Sequence, residues 1–237
     1  MKPDTHHKRN VIVMCGRFVG FRSLDELKGF FPIDKAACEA ISNYNVAPSQ
    51  EILAIAKYQS ENWLVKFHWG LVPFWAKDVS IGNKMINARS ESIAEKPSFR
   101  NAFKKRRCLI LADGFYEWKG EKGRKQPMFI TVPDHKPFAF AGLWETWNKK
   151  DDPDSIYKSC TIITTQASES IRDIHHRMPA ILKPTVYDSW LNPINQDVVA
   201  LGKMLKNEIV TELVSYPVST QVNSTRNNDP ACIEPIE

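Results

Sequence analysis

The sequence contains no apolar run that approaches the roughly 20 residues an α-helix needs to cross a bilayer. Its first fourteen residues carry basic side chains but only one short apolar stretch, the four residues from Val11 to Met14. That stretch is too short for the apolar region of a secretory signal. We therefore expect a cytoplasmic protein that has no membrane partner.

Cysteine pairs of the kind that bind metals are also missing. The five cysteines are odd in number, and no two of them form a Cys-X-X-Cys arrangement. This spacing argues against a zinc site and against a disulfide framework. Cys108 and Cys160 lie in strand-like apolar runs and are expected to be buried. The sequence thus predicts no metal and no cofactor.

Charge is unevenly distributed along the 237 residues. The net charge is +5, while the segment Lys84–Lys125 holds twelve Lys or Arg and five Asp or Glu, a net of +7. Such a local basic surface suits a polyanionic partner. It is equally compatible with a solvated charged face.

The pattern of elements indicates an α+β protein. Mostly apolar runs over Glu51–Tyr58 and Trp63–Trp69 predict two strands, which the polar residues between them join as a hairpin. Several strand-like runs follow, and they outnumber the predicted helices without alternating with them regularly. The sequence therefore predicts a single domain with a mainly antiparallel, β-barrel-like core flanked by short helices.

Helices are predicted at several places. Ser23 is the expected N-cap of a short helix. A second helix would carry Arg100, Lys104 and Arg107 on one face, and another is predicted over Ser168–Ile174.

Four short segments contain residues suited to chemistry, and the first is Met14-Cys15-Gly16. If Met14 is absent, Cys15 carries a free α-amine and a thiol on one residue. An α-amine has a pKa near 8 and is partly neutral at physiological pH. A neutral amine attacks an aldehyde to form an imine. A lone cysteine near a terminus can also be incidental.

The second segment spans Ile86 to Glu91, and the third contains Glu117. Asn87 can donate and accept hydrogen bonds, and Arg89 can bind a phosphate with two N–H groups. Glu117 lies in a strand between aromatic residues, where desolvation would raise its pKa toward the range useful for acid–base catalysis. The alternatives are a turn with a helix cap and an exposed glutamate on an edge strand.

The fourth segment, His175-His176-Arg177-Met178-Pro179, is expected to be a rigid loop. An imidazole there could transfer protons near neutral pH. The two histidines are adjacent rather than four residues apart, which argues against a metal site. A surface loop with a capping histidine is the alternative.

Together, in this order and spacing, the four segments resemble the SRAP family (SOS response-associated peptidases, also called abasic-site processing proteins). Further matching segments are Tyr44-Asn45-Val46-Ala47-Pro48, Trp69-Gly70-Leu71-Val72-Pro73-Phe74-Trp75 and Val222-Asn223. The match runs from Met14 to about Asn228. It divides the chain into a leader (residues 1–13), an SRAP-like domain (14–228) and a tail (229–237).

The resemblance implies an enzyme that binds single-stranded DNA and crosslinks itself to abasic sites as a thiazolidine. Cys15 would supply both the amine and the thiol, and Glu117 would be the general acid and base. His175 would help open the sugar to its aldehyde, and Asn87 would hold the Cys15 amine or the adduct. An imine alone permits β-elimination, so the resemblance is compatible with weak lyase activity.

The resemblance also implies a basic cleft for the DNA strand. The residues expected to line it are Arg17, Asn45, Pro48, Phe74, Trp75, Arg89, Thr164 and Arg177. The arginines would bind phosphates, and the aromatic side chains would provide a stacking surface. The partner is abasic single-stranded DNA, and the protein is expected to act as a monomer without a metal.

The leader departs from the family pattern, in which the chain begins at Met-Cys. Either translation starts at Met14, or the protein removes its leader by autoproteolysis through the Cys15 thiol, assisted by Glu117 and Asn87. Two other functions use the same residues. One is an N-terminal-nucleophile cysteine peptidase acting in trans, and the other is a binding module without chemistry.

Overall fold

Backbone hydrogen bonding organises much of the chain into β-strands. The computed structural model describes residues 15–121, 123–149 and 152–236, and the predicted leader lies outside these ranges. Within them the strands are β1 (Phe18–Gly20), β2 (Lys35–Ala36), β3 (Asn43–Val46), β4 (Glu51–Tyr58), β5 (Glu61–Trp69), β6 (Asn87–Arg89), β7 (Arg107–Ala112), β8 (Gly114–Lys119), β9 (Gln126–Thr131), β10 (Phe138–Lys149), β11 (Asp152–Gln166), β12 (Arg177–Pro179), β13 (Ile181–Leu182) and β14 (Val214–Pro217). The α-helices are α1 (Leu24–Lys28), α2 (Arg100–Lys105), α3 (Tyr187–Leu191) and α4 (Val198–Asn207).

Five of these strands close into a barrel. β5, β4, β7, β10 and β11 follow one another as antiparallel neighbours. A parallel pairing of β11 with β5, at Cys160 and Trp69, closes the ring. The interior is filled by large apolar side chains such as Phe67, Phe140 and Ile162. The prediction of an α+β fold with a mainly antiparallel, barrel-like core and short helices is confirmed.

A second, five-stranded sheet packs against the barrel interior. Its order is β14, β9, β8, β1, β3, and each neighbouring pair is antiparallel. Phe18 of β1 and Phe115 of β8 join the same apolar cluster as the barrel residues. Tyr116 of β8 belongs to a different cluster on the opposite side of the sheet. One face of β8 is therefore turned toward the barrel.

The helices cover the outer surface of the barrel. Apolar side chains of α2, α3 and α4 form one cluster with outward-facing residues of β4, β7 and β10. Ser23 is the N-cap of α1, as expected. Its side chain accepts a hydrogen bond from the Glu26 backbone N–H, and the Glu26 side chain accepts one from the Ser23 backbone N–H. Within the described residues no helix is long and apolar enough to cross a membrane.

Arg107 corrects the prediction of a basic helical face. α2 ends at Lys105, and Arg107 begins β7, where it pairs with Leu143 of β10. Its guanidinium is buried and donates to backbone carbonyl groups, those of Phe103, Lys104, Trp190, Asn192 and Asn195. Strand pairing and these acceptors outweigh the helical periodicity of the sequence.

The segment from Ser168 to Ile174 also differs from the prediction, because it forms successive turns rather than a helix. Its backbone bonds span mainly three residues, as from Ile174 N–H to Ile171 O at 2.9 Å. The residues that follow were expected to be a loop, but Arg177–Pro179 pair with β11 as β12. At the other end of the chain, Cys232 is buried and its carbonyl accepts from the Tyr116 hydroxyl, so residues 229–236 pack onto the second sheet.

We expect Gly114→Ala to lower the free energy of unfolding by about 1–3 kcal/mol, the usual range for overpacking. A Cβ at Gly114 would lie 2.1 Å from Cζ of the Phe129 ring, which is itself buried. Gly202→Ala in α4 is the matched control, because a Cβ there meets nothing within 4 Å. It should raise stability by roughly 0.5–1 kcal/mol through helix propensity. Urea denaturation measures both, and equal stability of Gly114→Ala and the unmodified protein would contradict the packing.

Candidate active site

Cys15 and Glu117 meet in the barrel-facing cluster although 102 positions separate them in the sequence. The backbone N–H of Cys15 donates to Oε1 of Glu117 at 2.9 Å. Cys15 is 1% exposed and Glu117 is 4% exposed. Alternation along β8 turns Glu117 to the same side as Phe115, as the sequence predicted. The alternative of an exposed edge-strand glutamate is excluded.

Burial gives this carboxyl group an unusual proton affinity. Desolvation raises the pKa of Glu117 to about 7, while the Cys15 N–H and the charge of Lys125 oppose the rise. Burial, and then the charge of Glu117, also raise the pKa of the Cys15 thiol. Near neutral pH, Glu117 can therefore both accept and release a proton, whereas the thiol stays protonated.

The backbone at Cys15 adopts an uncommon conformation. Its φ angle is 32°, a positive value that residues other than glycine rarely adopt. Asn87 donates from Nδ2 to the Cys15 carbonyl at 3.3 Å, and β6 holds Asn87 in place by pairing in parallel with β11 at Ile162. Cys15 is thus held at its amide nitrogen by Glu117 and at its carbonyl oxygen by Asn87. Such local strain persists where surrounding contacts hold it in place.

His175 is half-buried at the turn before β12. Its Nδ1 lies 3.1 Å from the backbone nitrogen of Arg177 and 3.0 Å from the Arg177 carbonyl oxygen, so either tautomer of the neutral ring has a partner there. Burial lowers the pKa of His175; the hydrogen bond with the Arg177 backbone opposes this effect, and the charges of His176, Lys125 and Arg177 add to it. Within the described residues, no hydrogen bond joins His175 to Cys15 or Glu117.

Several of the predicted DNA-binding residues are instead occupied by protein contacts. Arg17 donates to Asn45 Oδ1 at 2.6 Å and to the Val222 carbonyl at 2.7 Å. Asn45 is buried, and its amide donates to three carbonyls of the 222–227 segment. These contacts attach the C-terminal segment to β1 and β3.

Arg177 and Thr164 form a second such group. Both are buried, and Arg177 Nη2 donates to the Thr164 carbonyl at 2.8 Å. The Arg177 guanidinium also binds both carboxylate oxygens of Glu91. Glu91 lies in one of the four segments, but no local pattern indicated that it would neutralise Arg177.

The remaining predicted DNA-binding residues are accessible. Phe74 and Trp75 are 57% and 48% exposed, Arg89 is exposed and Pro48 is partly exposed. Arg89 lines a cavity of ≈ 450 Å³. We call it the arginine cavity, and its lining residues are Arg89, Gln166, Ala167, Arg172, His176 and Arg177.

Lys125 is a residue that the sequence interpretation did not single out. Its charge lowers the pKa of both Glu117 and His175, which brings one ammonium group into the electrostatic environment of both. Membership of the basic segment was its only signal in the sequence. Among the described residues, no group of three or more His, Cys, Asp or Glu could hold a metal ion.

Comparison with known proteins gives consistent results. A family model described as "SOS response associated peptidase (SRAP)" matches residues 14–225. The chain is 47% identical over 224 residues to abasic site processing protein YoqW of Bacillus subtilis, covering 93% of this chain and 99% of that protein. It is 36% identical over 201 residues to abasic site processing protein HMCES of Gallus gallus, covering 75% of this chain and 59% of that protein.

Solved structures share the fold. A protein from Bacteroides thetaiotaomicron is 30% identical with a TM-score of 0.73, and the match covers 82% of this chain and 86% of that one. A protein from Bordetella bronchiseptica is 25% identical with a TM-score of 0.72, covering 86% of this chain and 100% of that one.

The raised pKa of Glu117 predicts a specific dependence of stability on pH. The pKa of Glu117 is higher in the folded than in the unfolded chain, so folding favours the protonated carboxyl group. The contribution of Glu117 to the free energy of unfolding is therefore complete below about pH 4.5 and is lost as the pH rises through about 7. Glu117→Gln is neutral at every pH. Its stability relative to Glu117 should therefore increase between pH 5 and pH 8.

Urea denaturation in a Cys15→Ala background tests this, because that background keeps the peptide N–H and removes the thiol. Glu121→Gln, in the exposed turn after β8, is the control and should follow the parent at every pH. Parallel pH profiles for Glu117→Gln and its parent would contradict the prediction.

Proposed function

This chain belongs to the SOS response associated peptidase (SRAP) family, and from that membership we propose that it traps abasic sites in single-stranded DNA covalently through Cys15. The observation that carries the proposal is the 2.9 Å contact between the Cys15 nitrogen and Glu117 Oε1. With Cys15 as the first residue, that nitrogen is an α-amine whose unperturbed pKa is near 8. A neighbouring carboxylate with a pKa of about 7 is well matched to take its proton.

The reaction then proceeds in two steps, a condensation that forms an imine and an addition that closes a ring. The neutral amine adds to the sugar aldehyde, and the resulting hydroxyl leaves as water when Glu117 returns the proton, which yields an imine. Cys15 Sγ next adds to the imine carbon. The thiol proton passes to the imine nitrogen by way of Glu117, and a five-membered thiazolidine ring results. The atoms balance as aldehyde, amine and thiol giving thiazolidine and one water.

Asn87 and His175 have supporting roles in this proposal. Asn87 holds the Cys15 carbonyl, so that amine and thiol keep one orientation toward the aldehyde. The lowered pKa of His175 favours its neutral ring, which helps open the sugar ring to the aldehyde by transferring protons. The imine that precedes ring closure also permits β-elimination, which breaks the strand at the abasic site and would appear as weak lyase activity.

The DNA strand is held by two kinds of residue. Arg89, Phe74, Trp75 and Pro48 contact it directly, because their side chains are accessible. Arg17, Asn45, Thr164 and Arg177 shape the cleft walls through their contacts with the protein, and Arg177 reaches a phosphate by exchanging its Glu91 partner. Binding of this kind depends on phosphates and stacking, so it is insensitive to sequence and sensitive to salt.

The free amine requires that residues 1–14 be absent from the active chain. Translation from Met14, followed by removal of Met14, achieves this. Autoproteolysis is the other route, in which the Cys15 thiol attacks the carbonyl carbon that precedes it, with Asn87 assisting. The peptide C–N bond breaks as Glu117 gives its proton to the leaving nitrogen, and water then hydrolyses the thioester, which frees the thiol and leaves the leader with a carboxyl group. The positive φ of Cys15 favours this route, since cleavage releases the Cys15 backbone from that conformation.

A cysteine peptidase acting in trans is less well supported. Peptidases of that type need an accessible thiolate. The Cys15 thiol is buried, and its pKa is raised rather than lowered.

We predict that Cys15→Ala forms no denaturant-stable complex with an abasic oligonucleotide, because it lacks the thiol that closes the ring. Cys15→Ser should form only an imine, which borohydride makes permanent. Cys38→Ala, outside the barrel cluster, is the control and should crosslink as the unmodified chain does. Denaturing electrophoresis and intact mass measure the products. Undiminished crosslinking by Cys15→Ala would refute the proposal.

Glu117→Gln should slow crosslinking by about 10²–10⁴-fold, the usual contribution of a general acid–base group. The variant keeps the shape of the side chain, so its affinity for undamaged strands should be unchanged. Single-turnover rates are compared in protein whose intact mass begins at Cys15, with Glu121→Gln as the control. An unchanged rate would remove Glu117 from the mechanism.

A further inference from the structure

A groove leads away from the reactive centre along β11. β6 and β11 pair from Asn87–Ile162 to Arg89–Thr164, and the arginine cavity begins at that second pair. Gln166 and Ala167 line the arginine cavity and also a second cavity of ≈ 510 Å³ beside α4. We call the latter the α4 cavity. The two cavities therefore adjoin at these two residues, and we call the pair the groove.

The α4 cavity differs in character from the arginine cavity. Ala167, Leu205 and Ile209 give it an apolar wall. Thr165 and Gln166 contribute a hydroxyl and an amide group that are not fully buried. An apolar wall bordered by hydrogen-bond donors and acceptors suits a nucleobase, whose face is apolar and whose edge forms hydrogen bonds.

Positively charged side chains lie at both ends of the groove. Arg89 and Arg172 are exposed at the arginine cavity, and Lys206 is exposed at the α4 cavity. Arg172 also forms a solvent-exposed ion pair with Glu169 at 3.1 Å, which a phosphate would replace. Lys206 has no ion-pair partner in the described part of the chain. The Glu91 carboxylate also borders the groove, but Arg177 neutralises it. The charge of the groove therefore favours a ligand with phosphates at each end and an apolar portion between them.

We propose that the α4 cavity is a subsite for a nucleotide that flanks the abasic site in the trapped strand. Its base lies against Leu205 and Ile209, and its phosphate binds Lys206. The preceding phosphate is held at Arg89 and Arg172. The inference deepens the proposed function and rests on it for the identity of the ligand. The positions of the α4 cavity and of the cations that line the groove do not depend on the proposed function.

The test uses oligonucleotides that carry a tetrahydrofuran abasic analogue, which has no aldehyde and cannot crosslink. Removing the nucleotides on one side of the analogue should weaken binding of the unmodified protein about tenfold, the scale of one base contact. Removal on the other side should have a smaller effect. The side whose removal weakens binding more is the side that occupies the α4 cavity, and it identifies the direction of the strand in the groove.

Lys206→Gln and Gln166→Ala are the test variants, and Lys203→Gln is the matched control because it is exposed on the same helix and does not line the cavity. Lys206→Gln should lessen the dependence of log affinity on log salt by about 1. It should also reduce the difference between full and truncated strands, because the phosphate contact is lost while the base contact remains. Lys203→Gln should leave both unchanged.

Equal behaviour of Lys206→Gln and Lys203→Gln would overturn the subsite, and so would equal binding of full and truncated strands by the unmodified protein. Crosslinking of true abasic DNA by Lys203→Gln should match that of the unmodified protein. If the unmodified protein fails to crosslink, the proposed function fails. The tetrahydrofuran measurements would still decide whether the groove binds a flanking nucleotide.

Discussion

The hydrogen bond between the Cys15 nitrogen and the Glu117 carboxylate is the contact on which the site depends. A carboxylate removed from water holds its proton more tightly, and here the apolar cluster shared by the barrel and β8 provides that environment. Because Glu117 faces the barrel beside Phe115, its pKa is raised to about 7. The same burial keeps the Cys15 thiol protonated. The fold thus places a proton acceptor beside the Cys15 nitrogen, and it keeps the thiol buried in its protonated form.

Around this pair, polar residues serve two distinct purposes. Arg17 and Arg177 are both arginines in a basic protein, yet their guanidinium groups are bound by Asn45 and Glu91. Arg177 is buried and Arg17 is half-buried. A buried charge without a partner would be strongly destabilising, so the protein itself holds both guanidinium groups. Arg89 is exposed and so remains accessible to a ligand. In the proposed function, the first attraction of the strand therefore falls to the exposed cations, while Arg17 and Arg177 stabilise the surrounding structure.

Much of the fold could be predicted from local patterns. The Ser23 cap, the β4–β5 hairpin and the alternation along β8 each follow from residues close in sequence. The parallel pairing of β11 with β5 could not be predicted, because it joins positions about ninety residues apart with no turn signal between them. The same holds for Arg107, whose carbonyl acceptors come from α2, from α3 and from the segment after α3. The four catalytic candidates were found as short segments, but which arginines are accessible depends on tertiary contacts alone.

Mass spectrometry of the peptide that remains attached to a trapped abasic strand tests the central claim most directly. After trypsin digestion, the account predicts the peptide Cys15–Arg17, without any preceding residue. The sugar carbon should be bonded to both the Cys15 nitrogen and its Sγ. A sugar attached to a lysine, or to a peptide that still includes Met14, would contradict the account.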